Sequence, residues 1–73
     1  VLRPLAMSRE GETVLVREIR SGLKLKKRLG ELGLYEGTSV KIVRNRASGP
    51  VMVKVLDSQL ILGRGESLKI LVE

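Results

Sequence analysis

The chain contains no cysteine, histidine, tryptophan or phenylalanine, and its one aromatic side chain is Tyr35. Each absence removes a class of function. Without cysteine there is no disulfide framework, no thiol nucleophile and no thiolate site for zinc or an iron–sulfur cluster. Without histidine there is no imidazole ligand and no imidazole base. One aromatic ring makes no stacking platform for single-stranded nucleic acid, and no aromatic-lined groove for proline-rich peptides. No apolar run approaches the ~18–20 residues of a membrane span. The opening Val1-Leu2-Arg3-Pro4-Leu5 lacks the long apolar stretch of a signal peptide, and the missing initiator Met fits processing or excision from a longer chain.

What is present is aliphatic bulk and positive charge. The 73 residues hold 14 Lys+Arg against 8 Asp+Glu, a formal charge of +6. A hydrophobic content of 42% is too high for a disordered basic tail. The length allows one small domain, spanning 1–73, with about 60% of its unfolded surface buried and ~3–5 kcal/mol of stability from one core. No linker, repeat or low-complexity stretch divides it.

Catalytic equipment is thin. The lone Asp57 and the seven Glu are scattered through expected turns. Ser8, Ser21, Ser39, Ser48, Ser58 and Ser67 have only lysine or carboxylates to activate them. Glu31 with Glu36, or Asp57 with Glu66, would have to converge to hold a hard cation, and solvated carboxylates are the simpler reading. Gly63-Arg64-Gly65 lacks the Lys-Ser/Thr of a phosphate-binding loop and reads as a turn between strands. The chain is therefore read as a non-enzyme with no catalytic residue, metal ligand or cofactor assigned.

Periodicity predicts a mostly β fold. Residues 1–10 read as an irregular lead-in, with Leu5 and Met7 available to dock on a core. Thr13–Ile19 is a β-branched strand. Ser21 is a candidate N-cap for a helix over Leu23–Leu32, whose Leu25, Leu29 and Leu32 share one face. Gly33 stands where a helix ends in the left-handed region, and Leu34 beside it can fold back on the last turn. Further strands are expected at Thr38–Arg44, Val51–Val55, Gln59–Leu62 and Leu68–Val72, with Asp57-Ser58 as a hairpin turn. The sum is a small barrel of about five strands with one helix inserted after the first, its closure removing exposed sheet edges.

The strongest functional signal is charge at the start of that helix. Arg17, Arg20, Lys24, Lys26, Lys27 and Arg28 crowd there with only Glu18 opposing them. Cations facing the positive end of a helix dipole cost ~0.3–1 kcal/mol, so stability does not account for the cluster. An acidic protein surface, a nucleic-acid backbone or an anionic membrane would, as would a simple solvated face.

The run Lys27-Arg28-Leu29-Gly30-Glu31-Leu32-Gly33-Leu34-Tyr35-Glu36-Gly37-Thr38 resembles the signature of FeoA-like domains. Gly22, Gly49-Pro50, Leu60-Ile61-Leu62-Gly63-Arg64 and the closing Ile70-Leu71-Val72 match the family's spacing, so the resemblance runs from about Gly11 to Val72. Ser67 replaces a common alanine, and Tyr35 a smaller residue or proline. The resemblance implies an SH3-like small barrel. It also implies a small cytoplasmic accessory protein of ferrous iron transport, acting by contact with the G-protein region of a membrane iron transporter. Lys24, Lys26, Lys27, Arg28, Leu34 and Tyr35 are the partner-binding candidates. The family carries an association with transition metals. Self-association and a role as a nucleic-acid-associated module, such as the C-terminal domain of a metal-dependent transcriptional regulator, are the alternatives. Direct membrane insertion is not expected.

Overall fold

The computed structural model describes residues 1–73. The chain forms β1 (Arg3–Pro4), a 3-10 turn (Leu5–Met7), β2 (Thr13–Ile19), α1 (Leu23–Glu31), β3 (Ser39–Asn45), β4 (Val51–Val55), β5 (Ser58–Leu62), α2 (Arg64–Leu68) and β6 (Ile70–Val72). The strands make one six-stranded sheet in the order β1-β6-β2-β3-β4-β5, every neighbouring pair antiparallel. Two register shifts, at Val16/Glu18 on β2 and Ile42/Arg44 on β3, let the sheet bend around its apolar face.

That face is made by alternation. Val14, Val16, Val40, Ile42, Val51, Val53, Val55, Ile70 and Val72 all point inward and join Leu5, Leu29, Leu34 and Leu62 in a single buried cluster. With aliphatic side chains almost alone, the core is held by shape and burial, ~1.5–3 kcal/mol for each fully buried Val, Leu or Ile.

The helix ends as its sequence predicts, with one exchange of roles. Gly33 takes a φ of +92°. The N–H of Leu34 donates to the carbonyl of Leu29 (2.9 Å) and that of Gly33 to the carbonyl of Gly30 (3.0 Å), the paired bonds of a Schellman cap. The reversal swings Leu34 under the last turn against Leu29, both fully buried. Leu32, expected inward with Leu25 and Leu29, is instead 47% exposed, because it is the residue at which the chain leaves the helix.

Other expectations need correction. The sheet is not hydrogen-bonded into a closed ring: β1 and β5 are its two edges. Residues 1–10 hold β1, which pairs with β6, and a turn that buries Leu5 and Ala6 while Met7 stays exposed. Gly22, not Ser21, is the N-cap of α1, and no side chain caps it. The β4–β5 hairpin turns at Leu56-Asp57, one residue earlier than read, with Leu56 at a φ of 55°. A leucine in that left-handed region costs ~1–2 kcal/mol. Gly63-Arg64-Gly65 opens the short helix α2 rather than a plain turn, which shortens the last strand to Ile70–Val72 and leaves Leu68 half exposed.

Side chains bridge the open seam. Asn45, at the end of β3, donates through Nδ2 to the carbonyls of Ala6 (2.8 Å) and Ser8 (2.6 Å). Arg64, just beyond β5, donates to the carbonyls of Gly49, Arg46 and Ala6. The segments following the two edge strands are thereby tied together without a strand ladder. Near β1, Glu12 accepts from the backbone N–H of Arg9 (2.9 Å) and from the Arg3 guanidinium (2.6 Å). Those contacts, the Arg9 N–H first, hold its carboxyl below the ordinary glutamate value against a smaller opposing effect of burial.

Candidate functional site

Helix α1 has three faces. Leu25 and Leu29 pack toward the core. Lys24, Lys27, Arg28 and Glu31, spaced three and four residues apart, fall on one flank. With Ser21, Gly22 and the stem of Leu25 they line an open groove of about 590 Å³. Lys26 falls on the opposite flank, where it meets Ile19, Tyr35 and Glu36 around a smaller hollow of about 320 Å³.

The candidate residues are therefore divided. The groove gathers Lys24, Lys27 and Arg28; the hollow gathers Lys26 and Tyr35, a residue that is 56% exposed. Leu34 belongs to neither. It is fully buried as the hydrophobic half of the helix cap and presents no surface to a partner. A helix has 100° between successive residues, so four cations within five positions cannot share one side.

The charges also differ in availability. All four ion pairs in the molecule use arginine: Arg3–Glu12, Arg17–Glu73, Arg20–Glu18 and Arg28–Glu66. The planar guanidinium suits a carboxylate held in fixed geometry, whereas an ammonium is strongly hydrated. Arg17, Arg20 and Arg28 are thus engaged within the protein, and Lys24, Lys26 and Lys27 face solvent with no carboxylate partner. The residue that sequence reading missed is Glu66, which pairs with Arg28 of the groove. Its carboxylate accepts from Arg28 and from the backbone N–H of Gly63, three residues earlier, so it caps α2 and fastens it to α1. The spacing Gly63-x-x-Glu66 is a legible capping signal, while the contact with Arg28, 38 residues away, is not.

The start of α1 is electrostatically bare. Gly22 offers no side-chain acceptor to the first-turn N–H groups, and no acidic residue lies in that turn. Lys24 sits in it, at the positive end of the helix dipole.

No three Asp or Glu side chains gather in space. Glu10 accepts from the Asn45 N–H, Glu12 and Glu66 are committed as described, and Glu18 and Glu73 are ion-paired.

With this geometry in hand, comparison with known proteins is decisive. A sequence model of the FeoA domain matches residues 3–73. The chain belongs to the FeoA family. A curated relative, a candidate Fe(2+) transport protein A of Methanocaldococcus jannaschii, is 40% identical over 70 residues, covering 96% of this chain and 84% of that protein. The crystal structure of an iron uptake regulatory protein, FeoA, superposes with a TM-score of 0.91 at 22% identity, covering 100% of this chain and 97% of that one. The solution structure of FeoA from Chlorobium tepidum gives 0.87 at 25% identity, over 96% of this chain and 68% of that one. A manganese-dependent transcriptional repressor contains the same fold, with a TM-score of 0.86 at 20% identity over 97% of this chain and 40% of that one. The FeoA domain is thus a mostly β, SH3-like unit with one principal helix. No helix in it is long and apolar enough to cross a membrane.

Proposed function

We propose that this FeoA domain is a cytoplasmic accessory protein of ferrous iron transport, which binds an acidic surface on the G-protein region of a membrane iron transporter through α1. The name of the Methanocaldococcus relative supports the transport setting. The observation that carries the mode of action is the start of α1, where Lys24 and Lys27 project into an open groove beside uncapped backbone N–H groups. Every arginine near them is paired within the protein, and these lysines are not. Tyr35 and Lys26 extend the surface around the other flank, offering one amphipathic ring beside one charge. The protein acts by contact, and the iron ion is the transporter's cargo.

The test is capture of the transporter's cytoplasmic G-protein region by the wild-type protein and by the triple variant Lys24→Glu, Lys26→Glu, Lys27→Glu. Arg28 is left in place because Glu66 depends on it. Wild type is expected to retain the partner, less so as ionic strength rises, and the triple variant to lose it. Equal capture by both removes α1 from the interface. A salt-dependent affinity for duplex DNA exceeding that for the transporter domain would move the basic surface to a nucleic-acid role.

A further inference from the structure

We propose that the free edge of β5, Ser58–Leu62, receives an extended acidic segment of a partner protein as an added strand. This surface shares no residue with the α1 grooves.

On one side β5 pairs with β4 from Val55↔Ser58 to Val51↔Leu62 without a register break. The two-residue turn makes Val55 and Ser58 a hydrogen-bonded pair. By antiparallel alternation, Leu60 and Leu62 then bond to β4, while Gln59 and Ile61 turn their N–H and C=O groups outward. No hydrogen bond outside the β4–β5 ladder involves residues 58–62.

Sheet edges are ordinarily blunted by proline, charge, bulges or brevity. The other edge shows these devices: β1 has two residues, Arg3 and Pro4, and runs straight into a turn. The β5 strand, Ser58-Gln59-Leu60-Ile61-Leu62, has none of them. Its Ile61 is 67% exposed.

The outer face beside this edge has a defined chemistry. Two cross-strand rows end on it: Lys41–Lys54–Gln59 and Arg44–Met52–Ile61, running over β3, β4 and β5. Lys41 and Lys54 stand directly opposite one another, a like-charge pairing that weakens a sheet. None of the three cations has a carboxylate partner, and no acidic residue lies in either row. An added strand continues both rows. Its residue beside Ile61 meets apolar surface, and the residue two positions away, beside Gln59, comes within side-chain reach of Lys54. An apolar and an acidic residue two positions apart, on the same face of the added strand, satisfy both. A second copy of this chain does not, because pairing β5 with β5 joins two such cationic faces in one sheet.

The experiment uses the eight-residue peptide Thr-Val-Thr-Glu-Thr-Val-Thr-Glu (the Val/Glu peptide), which sets Val and Glu two positions apart on one face, its counterpart with Lys in place of Glu (the Val/Lys peptide), and the full chain labelled with nitrogen-15. The Val/Glu peptide is expected to slow hydrogen exchange of the Gln59 and Ile61 amides at least tenfold and to bind at least tenfold more tightly than the Val/Lys peptide. Ile61→Pro removes an N–H that bonds nothing in the fold and is expected to abolish the effect. Ile61→Glu, which keeps the backbone donor but sets a like charge against the peptide's carboxylates, is expected to weaken binding at least tenfold and gives a second reading if the proline variant fails to fold. The Lys24, Lys26, Lys27 triple variant is expected to bind the peptide unchanged, which separates this site from α1. The proposal is overturned if millimolar Val/Glu peptide leaves Gln59 and Ile61 unprotected, or if its shifts fall on α1. Sedimentation showing a wild-type dimer that Ile61→Lys dissociates overturns it equally, in favour of a second copy.

Discussion

At its C-terminal end, α1 closes with Gly33 in the left-handed region, two backbone bonds back into the last turn, and Leu34 buried against Leu29. Its N-terminal end, nine residues away, has a glycine cap without an acceptor and a lysine where a carboxylate would stabilise the dipole. One end is committed to holding the helix on the sheet. The other gives up local stability and leaves charge, donors and an open groove facing outward. The helix is anchored by tertiary burial at one terminus, and the opposite terminus is left open to solvent.

The largest disturbance of this contrast is at the anchored end. Leu34→Ala is expected to cost about 2–5 kcal/mol. That is comparable with the ~3–5 kcal/mol available to a domain of this size, so urea denaturation followed by circular dichroism is expected to show a largely unfolded chain. An effect below about 1 kcal/mol would mean that the Leu29–Leu34 contact does not anchor the helix.

Gly33→Ala tests the same end more gently. The added Cβ meets only Val55 Cγ1 at 3.6 Å, an ordinary contact, so the cost comes from the left-handed φ. It is expected to be about 1–2 kcal/mol in denaturant midpoint, with partner binding unchanged once folded. A cost near zero would show that the cap relaxes without the glycine.

The smallest effect is expected at the open end, and it has the opposite sign. Lys24→Glu places a carboxylate in the first turn and is expected to stabilise the fold by about 0.3–1 kcal/mol while weakening capture of the transporter domain. A variant that gains stability and binds equally well would reduce the lysine to a solubility feature.

Much of the scaffold is visible before folding because it depends on neighbours in the chain. The alternation of Val51, Val53 and Val55, the β-branched run of β2 and the Leu-Gly-Leu helix stop each report local geometry. The small barrel follows from their sum. The features that were not visible depend on residues distant in sequence. Arg3-Pro4 becomes a strand only because β6 supplies its ladder. The Gly63-x-x-Glu66 spacing is a local signal for α2, but the fastening of that helix to α1 through Arg28 is not. At the candidate site, the cationic cluster stood out in composition. Its division into a groove with Lys24, Lys27 and Arg28 and a hollow with Lys26 and Tyr35 needed the orientation of α1 on the sheet.

By itself, the order of residues determined that the protein would be a small aliphatic β structure with one capped helix, basic at that helix's start and without thiol or imidazole chemistry. These are properties of composition and short-range periodicity, which no packing arrangement can remove. Tertiary structure alone decided that Leu34 rather than Leu32 fills the core, that Arg17 and Arg28 are paired while Lys24, Lys26 and Lys27 are left free, and that the sheet stays open at β5. Each depends on which distant groups come within a few ångströms, and that distance is set only when the whole chain has packed.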